Sequence, residues 1–168
     1  MQFNGTNGAS PIAPLTARSD GFFYGVTGLG GSADRGTVFR LSPDGNLLTL
    51  ASFGGAEGAP AAPFSAFVFG PDGNLYGATA GGGRGGGGTV FRLTLPKILS
   101  LTPLAGSTLR LTGKGAPNGS YRLLGVADLS QPVTSWTSVT SGVFDSSGSF
   151  SFADVSTNQA RFYRLSVP

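Results

Sequence analysis

Apolar residues in this chain come in short runs separated by turn residues, and no stretch repeats at the helical period. Phe22–Val26 and Leu75–Thr79 follow Asp-Gly turns and carry aromatic and aliphatic side chains, the pattern of a strand leaving a tight turn. Thr37–Leu41 and Thr89–Leu95 alternate, and Leu47–Phe53 and Phe64–Phe69 are further strand candidates. Asp44-Gly45-Asn46 and Asp72-Gly73-Asn74 are tight turns, because Gly and Asn accept a positive φ. The glycine-filled run Ala80–Gly88 cannot hold a regular helix and reads as a loop.

These elements repeat. Asp20-Gly21-Phe22-Phe23-Tyr24-Gly25-Val26-Thr27 returns as Asp72-Gly73-Asn74-Leu75-Tyr76-Gly77-Ala78-Thr79, and Gly36-Thr37-Val38-Phe39-Arg40-Leu41 returns as Gly88-Thr89-Val90-Phe91-Arg92-Leu93, at a constant offset of 52 residues. A period of this length indicates stacked or radial β units. A fainter echo links Phe3–Ala9 to Phe53–Ala59, with a few more residues before the second Asp-Gly. The chain therefore opens inside a repeat, and is expected to be the tail of a longer protein or a truncated reading frame. That also accounts for the absence of a signal peptide from it.

From Lys97 onward glycine thins out, and Ser, Thr and Leu rise. Leu99–Thr102, Ser107–Thr112, Ser120–Gly125, Ser135–Thr140, Ser149–Ala153 and Phe162–Val167 read as strands at turn spacing, the sign of an antiparallel sandwich. Trp136, the single tryptophan, is the expected core anchor, joined by Phe150, Phe152, Phe162 and Leu165. The fold class is all-β: propeller-like repeat sheets over residues 1–96, then a small antiparallel β-sandwich over 97–168.

Composition narrows the chemistry. The 168 residues include no Cys and no His, which excludes disulfides, thiol chemistry, Ser-His-Asp catalysis and imidazole-bound zinc. Charged residues are 11% and aromatics another 11%, unlike a solvated disordered chain. The net charge of +3 comes from scattered Arg and Lys with no basic run, so no nucleic acid partner is expected. No apolar stretch reaches the roughly 20 residues of a membrane span.

The Asp-Gly-x-Leu/Phe-Tyr-Gly-x-Thr motif, followed by Gly-Gly and Gly-Thr-Val-Phe-Arg-Leu, resembles a tandem-repeat family of large secreted proteins from soil bacteria such as the Verrucomicrobia. The resemblance covers Asp20–Leu93 and implies propeller-like sheets and an extracellular or cell-surface parent protein. The tail also resembles a non-catalytic β-sandwich module of those bacteria. Its pattern is Gly119-x-Tyr121-x-Leu123, Asp128-Leu129, Trp136, Gly148-x-Phe150-x-Phe152-x-Asp154 and Arg161-Phe162-Tyr163-Arg164-Leu165. In size and architecture, though through no motif, the chain is similar to metagenome-derived, calcium-dependent hydrolases of N-acyl-homoserine lactones.

That second resemblance implies a calcium-assisted opening of a lactone ring. Calcium takes six to eight oxygen ligands, many from loop carbonyls, and Asp20, Asp34 and Asp72 lie in or beside the glycine-rich loops. They are the metal candidates, with Asp34 or Glu57 as the base that activates water. The competing reading makes Asp20, Asp44 and Asp72 plain turn formers. Two non-catalytic functions stay open. One is a surface, adhesion or glycan-binding fragment using Tyr24, Tyr76 or Trp136. The other is an assembly module that self-associates through bare β-edges.

Overall fold

Prolines break the outer strand of each repeat, and that break organises the first half of the chain. In the computed structural model, which describes residues 1–54, 61–132, 135–155 and 161–166, every regular element is a β-strand and no α-helix occurs among the described residues. The chain divides into two units, Met1–Leu93 and Thr94–Pro168.

In the first unit, β1 (Ala9–Pro11) and β2 (Thr16–Ala17) run in succession along one side of β3 (Phe23–Leu29). Pro11 and Pro14 interrupt what would otherwise be one strand, since proline gives no N–H to a ladder. On the other side of β3 lies β4 (Thr37–Leu41), and beyond it β5 (Leu47–Ser52). The second repeat copies this plan. β6 (Ala61–Pro63) and β7 (Val68–Phe69) flank β8 (Leu75–Gly81), and β9 (Thr89–Leu93) pairs its far side.

The sequence pattern missed β1, β2 and β6 because each is too short and too proline-bound to show alternation. Their partners show that the 52-residue register already holds at Ala9 and Ala61, which face Leu29 and Gly81. Phe3 and Phe53 are 50 residues apart. The extra length in the second repeat therefore falls between Phe53 and Ala61, and not in the loop just before Asp72.

Each repeat sheet has two faces, set by the strand period of two. One carries Gly25, Thr27, Thr37 and Phe39 and will be called the Phe39 face; the other carries Tyr24, Val26 and Val38 and will be called the Val38 face. The Val38 face of the first repeat packs on the Phe39-type face of the second. Tyr24 meets Phe69 edge to face, Arg18 lies over the Phe69 ring, and the Thr16 hydroxyl donates to the Phe67 carbonyl.

The second unit is a sandwich of two three-stranded antiparallel sheets. One has the order β10 (Lys97–Leu104), β11 (Thr108–Lys114), β14 (Ser149–Val155). The other has β13 (Thr137–Val143), β12 (Ser120–Val126), β15 (Phe162–Ser166). All six predicted strands are present. The core differs from expectation: Tyr121, Phe144 and Phe150 form it, with Phe152 and Leu165 packed against them. Trp136 is only half-buried, with its indole N–H on the Gln131 carbonyl, and Phe162 is exposed. The indole stands just before β13, in a loop, while Tyr121 sits near the start of β12 and packs on Phe150 of the opposite sheet.

Candidate functional site

The repeated motif is the natural place to look for chemistry, and its residues can be followed one at a time. Asp20 accepts the Phe22 N–H at Oδ1 (3.1 Å), and at Oδ2 the Tyr24 hydroxyl (2.9 Å) and Arg18 Nη1 (3.2 Å). Asp72 accepts the Asn74 N–H at Oδ1 (3.1 Å), and at Oδ2 the Tyr76 hydroxyl (2.8 Å) and Asn74 Nδ2 (2.7 Å). The carboxylate closes an Asx turn and then anchors the tyrosine that starts the next strand. Burial, then the Asp20 charge, raises the Tyr24 pKa above its usual value. For Tyr76 the hydrogen bond to Asp72 comes first and acts in the same direction.

The glycine after each tyrosine makes room for the motif's phenylalanine. A Cβ at Gly77 would stand 2.7 Å from Phe91 Cζ, and one at Gly25 would run into Phe39 Cζ. The motif's threonines pair across the hairpin. The Thr27 and Thr37 hydroxyls lie 2.9 Å apart, and the Thr37 N–H donates to Thr27 Oγ1 at 3.0 Å. Thr79 and Thr89 repeat this at 2.8 and 3.0 Å. Buried hydroxyls that satisfy each other and a backbone group cost little to desolvate.

Asp34 occupies a turn residue with φ of 52°, and its counterpart 52 residues on, Gly86, has φ of 71°. Their N–H groups donate to Gly31 O and Gly83 O respectively. Asp34 adds one bond of its own, accepting the Gly30 N–H at 2.7 Å. The position demands a left-handed residue, which Gly meets freely and Asp more readily than most.

The Gloeobacter/Verrucomicrobia repeat family matches residues 1–128. The chain belongs to that family. No curated protein and no solved structure matches it. The similarity to lactone hydrolases gains no support from these comparisons.

In this member of the Gloeobacter/Verrucomicrobia repeat family, Asp20 and Asp34 stand at opposite ends of β3, which separates them by about 20 Å at the usual rise per residue. Asp72 lies in the turn of the other sheet. No group of three or more Asp, Glu, His or Cys that could hold a metal occurs among the described residues. Glu57 lies outside the described residues.

A carboxylate not singled out as a site from sequence lies in the sandwich with two donors on it. Asp154 is buried and accepts Arg161 Nη1 and the Tyr163 hydroxyl, both at Oδ2 and both at 2.6 Å. Burial, and then the Asp154 hydrogen bond, pushes the Tyr163 pKa up to about 12. The signal was present in the Phe-x-Asp154 and Arg161-Phe-Tyr163 patterns, but only the pairing of the sheets shows that these ends meet. An open groove of about 590 Å³ runs beside Lys114 and Asp145. Ser147 and Ser149 donate to the Asp145 carboxylate and hold its pKa below the usual range.

Proposed function

We propose that this chain is a non-catalytic β-repeat module, a scaffold segment of a surface or extracellular protein. One observation carries the reading: the repeated Asp, Tyr and Thr side chains are engaged in their own fold, and the repeated Gly makes room for the repeated Phe. The aspartate holds its turn and tyrosine, the glycine admits the phenylalanine, and the threonines pair across the hairpin. A repeated catalytic motif would leave at least one polar group directed toward open space. Asp20, Asp34 and Asp72, the carboxylates suggested for calcium, are spread over separate turns. The extracellular setting is part of the proposal and rests on the family resemblance.

The test is a turnover assay of the full chain on N-acyl-homoserine lactones, in calcium and in EDTA. The expected rate equals that of buffer in both. Turnover that EDTA removes, or that Asp34→Gly removes while the melting temperature holds, overturns the proposal.

A further inference from the structure

The first repeat shows what belongs beside a Thr-Val-Phe-Arg-Leu strand. There β5 pairs β4, with Val38 opposite Ala51, Phe39 opposite Thr49 and Arg40 opposite Leu48. The Phe53 N–H extends the ladder by donating to the Gly36 carbonyl at 2.9 Å. The turn Ser42-Pro43-Asp44-Gly45-Asn46 makes this return possible. In it the Ser42 N–H donates to the Asn46 carbonyl and the Gly45 N–H to the Ser42 carbonyl, with Gly45 at a φ of 85°.

The second repeat has the same strand without that neighbour. β9 carries the identical sequence over Thr89–Leu93, and among the described residues it pairs β8 alone. The counterparts of the turn residues, 52 positions on, are Thr94-Leu95-Pro96-Lys97-Ile98. No glycine stands there to take the left-handed backbone, and the chain runs on into β10, which pairs β11 instead.

The open edge of β9 carries backbone donors. The Thr89 N–H donates to Thr79 Oγ1 on β8 at 3.0 Å. Backbone groups point to alternate sides along a strand, so the Val90 and Arg92 N–H groups point away from β8, toward the edge. In the first repeat the same alternation turns the Val38 and Ala51 backbones toward each other. An unpaired row of this kind is a template for another strand.

We propose that the outer edge of β9 is a strand-acceptor site, and that its occupant is an extended β5-type segment supplied by another repeat chain of the same family. The complement is already written in this molecule: Leu47-Leu48-Thr49-Leu50-Ala51-Ser52 pairs the same five residues in β4. Main-chain hydrogen bonds supply the affinity of such an added strand, and its alternate side chains set the register. The β5 of a second copy of this chain is held by its own β4, so the donor is a different repeat chain. The proposal rests on the repeat-module reading, but its readout is peptide binding rather than turnover, so the two fail separately.

The experiment titrates the isotope-labelled full chain with a synthetic peptide of residues Asp44–Phe53 and follows the backbone amide signals by NMR. Saturable shifts are expected, largest at Thr89–Leu93. Val90→Pro removes an edge donor where the side chain is 82% exposed and leaves the bonds to β8 in place, so it is expected to weaken binding about tenfold or more. A peptide carrying Ala51→Pro lacks the N–H directed at the partner strand and is expected to bind as weakly, which keeps the test decisive if the Val90→Pro chain does not fold. No saturable shift with the native peptide overturns the proposal, as does equal binding by the Ala51→Pro peptide or by a folded Val90→Pro chain. Shifts confined to Thr37–Leu41 also overturn it, since the peptide would then be replacing β5. So does mass that grows with concentration and is abolished by Val90→Pro, which would give the edge to a second copy instead.

Discussion

Phe53 meets Phe91 edge to face, with ring centroids 4.9 Å apart and planes at 71°. Phe3 meets Phe39 in the same way, at 5.2 Å and 68°. Phe53, just past β5 of the first repeat, packs on the Thr-Val-Phe-Arg-Leu strand of the second, and Phe3 packs on that strand of the first. The faint echo between Phe3–Ala9 and Phe53–Ala59 therefore has a physical counterpart at its first residue: Phe3 and Phe53 each pack on the phenylalanine of a Thr-Val-Phe-Arg-Leu strand. Edge-to-face packing suits the ring quadrupoles and adds about 0.5–1.5 kcal/mol beyond the area buried.

Phe53→Ala is expected to destabilise the first unit by about 3–5 kcal/mol, as for other buried phenylalanines. Phe3→Ala removes a half-buried ring and costs less. A double-mutant cycle between Phe53 and Phe91 in urea unfolding should give a coupling of about 0.5–1.5 kcal/mol. A coupling of zero means the rings merely lie near one another.

Gly25→Ala tests the fit between glycine and ring. The added methyl would collide with Phe39 Cζ and with Leu15 Cδ2, the latter 2.8 Å away. Overpacking of this kind costs about 1–3 kcal/mol. Trimming the ring with Phe39→Leu should recover part of the Gly25→Ala loss, so the double variant should be more stable than the sum of the two singles. Strict additivity in thermal unfolding would show that the ring does not set the need for glycine.

The threonine pair makes a prediction that differs between the repeats. Thr27→Val keeps the volume but removes the acceptor of the buried Thr37 N–H, at about 1–3 kcal/mol. Thr79→Val makes the same chemical change, yet Thr89 is only half-buried, so water can replace the lost acceptor and the cost is smaller. Equal shifts in the urea midpoint for the two variants would contradict the burial difference.

Most of the strand positions were legible because each follows a turn whose residues are fixed by backbone geometry. Asp72-Gly73-Asn74 before β8 and Gly148 before β14 are examples. The proline-broken outer strands were not legible, because Pro11 and Pro63 hide a two-residue period and only the pairing with β3 and β8 reveals them. The role of Asp20 and Asp72 as turn formers was among the readings open from the motif alone. That each aspartate also holds the tyrosine four residues on was not, since it depends on how the turn feeds the strand. Trp136 is the largest side chain of the sandwich yet stands in a loop, whereas Tyr121 and Phe144 fill the core from strand and turn positions that composition does not mark.

Asp34→Gly is expected to change the melting temperature little. The residue has a left-handed φ that glycine adopts without strain, as Gly86 does in the second repeat. The one hydrogen bond lost, to the Gly30 N–H, is worth about 1 kcal/mol and is partly offset by the relieved backbone. Asp34→Val keeps no bond and cannot take the conformation, so it should be clearly less stable than Asp34→Gly. The reverse order would mean that the carboxylate, and not the backbone, determines this loop.

Tyr163 predicts an alkaline limit to the stability of the sandwich. Its pKa is about 12 in the folded protein, against about 10 in an unfolded chain. Between those values the folded state keeps the phenolic proton and the unfolded state releases it. The unfolded state then binds fewer protons, so stability falls as pH rises. The contribution is fully present below about pH 10 and is lost on the way to about pH 12. Trp136 is the single tryptophan and lies in the second unit, so its fluorescence follows the unfolding of that unit in urea. The midpoint should be level from about pH 8 to 9 and then decline steeply. Tyr163→Phe lacks the proton and should show a flatter decline. It should also unfold at lower urea near pH 8, because Asp154 loses one of its two donors at a cost of about 1 kcal/mol. If wild type and variant lose stability in parallel above pH 10, the Asp154–Tyr163 pair is not what holds the proton.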